Sequence, residues 1–71
     1  MNLIKAEPGK EYVVQRLETQ DTDLDRFLFT LGCYSGAPIT VISRRRSGCT
    51  VSIKDGRYNV DSQLARAIVV A

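Results

Sequence analysis

Two hydrophobic periods divide the chain. Tyr12–Leu17, Ile39–Arg44, Cys49–Lys54 and Ala67–Val70 are rich in β-branched and aromatic residues and read as strands. From Asp23 to Leu31 the period becomes helical, with Leu24, Phe27, Leu28 and Leu31 at i, i+3, i+4 and i+7 in one apolar stripe. Asp21 or Thr22 is placed to cap that helix, while Asp23 and Asp25 suit the positive end of its dipole. Gly32 follows the stripe where a left-handed stop is favoured.

Punctuation between these segments sets the order. Glu7-Pro8-Gly9-Lys10 is a turn, and Arg45-Arg46-Ser47-Gly48 a loop tip. Asp55-Gly56 predicts a two-residue hairpin turn. That turn pairs Lys54 with Arg57, Ile53 with Tyr58, Ser52 with Asn59 and Val51 with Val60, so apolar residues oppose apolar ones. Asp61–Ala65 reads as one helical turn capped by Asp61 or Ser62. The expected architecture is mainly β: a small closed barrel of five antiparallel strands, with one α-helix inserted after the first strand.

With 71 residues the chain makes one domain, close to the lower size limit for a single core and short of room for a deep substrate cleft. Hydrophobic residues make up 44% and charged residues 25%, a globular balance. The net charge of +2 is too small to imply a polyanion partner. No segment is apolar for long enough to span a bilayer and none resembles a signal peptide, so a cytoplasmic location with reduced thiols is expected.

Histidine is absent, which removes the commonest general base and the commonest transition-metal ligand together. Cys33 follows the C-terminal end of the helix, where the dipole disfavours a thiolate, and no histidine exists to activate it. Cys49 alternates with Val51 and Ile53 and reads as a core residue. Cys33, Cys49, Asp21, Asp23 and Asp25 are the only candidates for a weak site for Fe(II) or another transition metal. No bound cofactor is expected. Arg44-Arg45-Arg46 lacks the interleaved aromatics of a base-stacking surface and reads as a solvated tip rather than a nucleic-acid site. With no phosphate-cradling glycine loop and no histidine, the chain is not expected to be an enzyme.

Between Phe27, assigned to the core stripe, and Phe29, which points away from it, the helix presents one exposed aromatic next to Tyr34. Such a patch is the kind of anchor that interfaces use. The order Arg26, Leu28, Leu31-Gly32, Gly36, Ile39-Thr40-Val41, then Gly48, Val51-Ser52-Ile53, Leu64-Ala65 and Ala67-Ile68-Val69-Val70 resembles the FeoA family over about Leu17 to Val70. Departures fall in the loop after the helix. Ser35 stands where the family usually has proline, and Cys33-Tyr34 where it often has an aliphatic or methionine pair.

The resemblance implies an SH3-like barrel and a non-enzymatic accessory role in ferrous-iron uptake. It further implies docking to the cytosolic GTPase region of a FeoB-type membrane permease, with Arg26, Phe29, Cys33, Tyr34 and Ser35 as partner-binding candidates. A homo-oligomer stays open. The alternative is a metal-binding chaperone or sensor related to the SH3-like module of DtxR-type iron-dependent repressors. A chain that starts at Met1 without a helix-turn-helix fits that alternative less well.

Overall fold

The computed structural model describes residues 1–71. A single 3-10 turn at Leu3–Lys5 precedes β1 (Glu11–Leu17), α1 (Thr22–Leu31), β2 (Pro38–Arg45), β3 (Gly48–Ile53), β4 (Gly56–Asp61), α2 (Ser62–Ala67) and β5 (Ile68–Val70). The strands form one antiparallel sheet in the order β4-β3-β2-β1-β5. The expected closure into a barrel is not seen, because β4 and β5 are the two edges and do not pair. What joins them is α2, which packs on β3, β4, β5 and the 3-10 turn. Asp61 ends β4 and caps α2, its carboxylate accepting from the Leu64 amide at 2.8 Å. A helix therefore stands where ladder hydrogen bonds would have closed the seam.

Register shifts bend the sheet at two places, in β1 between Val14 and Arg16 and in β2 between Val41 and Ser43. Such bulges increase local twist and let a short sheet wrap its own core. Tyr12 and Val14 of β1, Ile39 and Val41 of β2, Cys49, Val51 and Ile53 of β3, and Ile68 and Val70 of β5 point inward. Leu28 of α1, Ala65 of α2, Val60 of β4, and Leu3, Ala6 and Cys33 complete the cluster. No polar or charged side chain is buried with them.

Leu3 belongs to a segment in which the sequence showed only a turn. Asn2 caps the 3-10 turn by accepting from the Ile4 amide at 2.9 Å, and Leu3 is completely buried. The carbonyls of Leu3 and Ala6 then accept from Arg44 Nη2, the first at 2.7 Å. The basic run is thus divided by its partners. Arg44 ties down the N-terminal segment, Arg45 donates to Thr50 Oγ1 at 2.8 Å, and Arg46 sits in the β2–β3 turn. Only part of the expected solvated tip is free.

Two further expectations are corrected. Phe27 is not part of the core stripe: it is 57% exposed. Leu28 points straight into the core, and its neighbours in sequence leave the helix about 100° to either side, so Phe27 and Phe29 both emerge. The core-facing stripe is the buried Leu28 with Leu24 and Leu31 partly buried beside it.

The hairpin register also differs. Ile53 pairs with Gly56, Ser52 with Arg57, Val51 with Tyr58 and Cys49 with Val60, so the turn residues are Lys54 and Asp55. The observed pairing keeps every side chain on its expected face, which is why apolar matching could not tell the two registers apart. Three features accompany the observed register. Lys54 adopts positive φ (53°), Tyr58 folds over Gly56 where a Cβ would collide with its ring, and the opposition of Lys54 to Arg57 disappears.

Candidate functional site

The site grows from the end of α1. Asp21 caps the helix start, its side chain accepting from the Leu24 amide at 3.1 Å. At the other end Gly32 takes φ 96°, and its amide turns back to the Leu28 and Phe29 carbonyls. The Cys33 amide also bonds the Leu28 carbonyl, at 2.9 Å. This left-handed stop reverses the chain within one residue. Cys33 consequently points into the core and Tyr34 comes out beside the last turn of the helix. There its ring packs on Phe29 with centroids 5.0 Å apart and planes tilted by 38°.

The loop is held from behind by β1. Gly36 donates to the Val14 carbonyl at 2.7 Å, Val14 donates to the Ala37 carbonyl at 2.8 Å, and Ala37 donates to Tyr34 at 2.9 Å. The turn that carries Tyr34 is therefore tied to β1 at Gly36 and Ala37. The β3–β4 turn supplies the opposite wall. Its Lys54 ammonium lies 5.4 Å from the Tyr34 ring centroid, a cation–π contact, and the stem of Lys54 runs across Gly32. Tyr58 adds a third aromatic. Together these side chains line an open groove of about 600 Å³ between α1 and the hairpin tip.

Phe29 is 63% exposed, the most exposed large apolar side chain in the molecule. Arg26 lies one turn earlier on the same side of α1, exposed and without an ion pair. Ser35 is exposed at the loop. Cys33 is the correction among the partner-binding candidates: it is fully buried and offers a partner nothing. Lys54 and Tyr58 were missed, because the meeting of the hairpin tip with the end of α1 is a long-range contact. The Asp55-Gly56 signal located the tip without showing what it would touch.

The metal candidates do not converge. No three His, Cys, Asp or Glu side chains come together as a metal-binding group. Asp21 is committed to its cap, Asp25 accepts from Thr19 Oγ1 at 2.5 Å, and Asp23 sits in the first turn of α1. Burial pushes the Cys33 thiol up to about 11. Burial also raises Cys49, although Arg44 and Arg45 pull it down. Both thiols are core groups, protonated at neutral pH. A second cavity of about 410 Å³ lies between the starts of α1 and α2, with Asp21 and Asp61 on its wall, and each of these carboxylates already caps a helix.

Comparison with known proteins places this architecture. The family model for the FeoA domain matches residues 1–71. No curated protein sequence matches the chain. Among solved structures, FeoA from Chlorobium tepidum superposes with a TM-score of 0.88 at 21% identity, covering 99% of this chain and 68% of that one. FeoA from Stenotrophomonas maltophilia, a zinc complex described as a procaryotic SH3 domain protein, gives 0.84 at 18% identity over 100% and 89% of the two chains. A manganese-dependent transcriptional repressor gives 0.86 at 24% identity, and there the match spans 99% of this chain but 39% of the repressor. At such identities the likeness is one of fold, an SH3-like one. No helix is long and apolar enough to cross a membrane.

Proposed function

Since the chain belongs to the FeoA family, which is linked to ferrous-iron transport and is not a known enzyme family, we propose that it is a cytoplasmic docking module. In this reading it engages the cytosolic GTPase region of a FeoB-type permease through the groove between α1 and the β3–β4 turn. The observation that carries the proposal is Phe29. A large apolar ring is left 63% exposed, yet it packs on Tyr34, whose turn is tied to β1 through Gly36 and Ala37. A preformed aromatic anchor loses little side-chain freedom on binding, and residues of this kind dominate interface energetics.

The mechanism needs no chemistry from this chain. The sheet is the scaffold, the Gly32 stop sets the angle between α1 and the loop, and Phe29, Tyr34 and Tyr58 offer the apolar contact. Arg26, Ser35 and Lys54 supply a polar rim. Iron chemistry belongs to the partner.

A titration of the chain against the isolated GTPase region of the permease tests this reading. Binding is expected, and Phe29→Ala and Tyr34→Ala should each weaken it by about tenfold or more, the scale of an interface hot spot. Absence of binding by the unaltered chain, or indifference to both substitutions, would overturn it. Metal capture is the rival reading, and the separated positions of Cys33, Cys49 and the α1 aspartates give it no support. A submicromolar Fe(II) or Zn(II) site lost in Cys33→Ser would reverse that judgement.

A further inference from the structure

The two edges of the sheet are treated differently. Along β5 the N-terminal segment covers the edge: Asn2 bridges Val69, and the Val70 amide donates to the Met1 carbonyl at 2.7 Å. Along β4 no backbone pairing does, although α2 packs against the strand. From Gly56 to Val60 the backbone makes hydrogen bonds to β3 and to no other part of the chain. An edge of this kind is a template for one more strand. It also opens onto the aromatic groove, because Gly56 and Tyr58 belong to both.

Charge narrows what could fill the place. Lys54 lines the groove, Arg57 follows Gly56 on β4 and Arg26 lies one turn before Phe29 on α1, and none of them forms an ion pair, since the only one in the molecule is Arg16–Glu18. Asp55 is the single carboxylate lining the groove. A second copy of the chain would bring the same cations to the same edge. An acidic segment would meet them with opposite charge.

We propose that an extended, acidic segment of a partner protein adds to β4 as a sixth strand. It would rest an apolar side chain on Phe29 and Tyr34 and set its carboxylates against Arg26, Lys54 and Arg57. Main-chain pairing supplies the affinity and alternate side chains supply the selectivity, as in other cases of strand addition. The inference rests on the docking reading above and specifies what the partner must present there.

The test uses the full chain and short synthetic peptides, followed by amide chemical shifts. A peptide alternating valine and glutamate is expected to shift the amides of Lys54 to Asn59. Its affinity should fall by about tenfold in Lys54→Glu or Arg57→Glu and should decline as salt is raised. The same peptide with alternate amides N-methylated should not bind. Equal binding of a valine–lysine peptide, equal binding of the N-methylated form, or shifts confined to another surface would overturn the proposal. So would a concentration-dependent dimer of the free chain paired through β4. The permease GTPase region separates the acidic strand from the docking surface. If it binds with sensitivity to Phe29→Ala but not to Lys54→Glu and Arg57→Glu, the acidic strand is wrong and the docking reading stands. If the acidic peptide binds at β4 and the GTPase region does not, the docking reading fails and the strand site stands.

Discussion

Leu28 and its two neighbours show how differently adjacent residues can be employed. Leu28 is about 1% exposed in the centre of the cluster, whereas Phe27 and Phe29 leave the helix on either side of it. Leu28→Ala should therefore cost about 2–5 kcal/mol in denaturant unfolding. Phe27→Ala and Phe29→Ala should stay within about 0.5 kcal/mol, as exposed substitutions do. Cys33 offers a second test. Its thiol ordinarily titrates at 9.0 and burial raises it to about 11 in the folded chain. The unfolded chain then ionises first as pH rises. Stability owed to this group is complete below pH 9, falls between about 9 and 11, and levels off above. Unfolding midpoints measured across that range should decline in the parent and decline less in Cys33→Ala. At pH 8 a thiol reagent should label Cys33 only after denaturant is added.

At the scale of elements, α1 is set by its two ends. Asp21→Ala should cost about 0.5–2 kcal/mol by removing the cap on Leu24. Gly32 carries two constraints together. Its φ of 96° suits glycine, and a Cβ there would lie 2.6 Å from Lys54 Cγ. Gly32→Ala is expected to lose about 1–2 kcal/mol through left-handed strain. It should also push Lys54 off the Tyr34 ring, so the proposed docking to a permease GTPase region should weaken more than stability alone explains. The helical period and the glycine stop are local signals, and α1 is legible from Asp23 to Leu31 for that reason, while the choice of Asp21 over Thr22 as the cap came from the structure. The hairpin was legible as a hairpin but not in register, because two registers satisfy the same alternation.

For the whole molecule, the N-terminal segment decides how a short sheet is completed. Leu3 is buried, Arg44 holds the carbonyls of Leu3 and Ala6, and Met1 and Asn2 cover the β5 edge. Leu3→Ala should cost about 2–5 kcal/mol, a large share of what so small a domain possesses. Arg44→Ala should raise hydrogen exchange at Ile4, Lys5 and Ala6 while leaving β3 protected. These effects arise over long sequence separations, with Arg44 reaching back to residues 3 and 6. A basic triplet beside a turn carries no mark of which arginine will be committed in this way.

The sequence by itself determined the order of strands and helices, the absence of histidine chemistry and the family resemblance. Each rests on periodicity, composition or the spacing of turn residues, which act over a few positions. Tertiary structure alone decided that the sheet stays open at β4, that α2 fills the seam, that Cys33 turns inward and that Lys54 reaches Tyr34. It also chose between registers that preserve the same faces, and it freed Phe27 from the core. Those outcomes depend on which distant surfaces meet once the core is packed, and apolar alternation is blind to that choice as long as every side chain keeps its face.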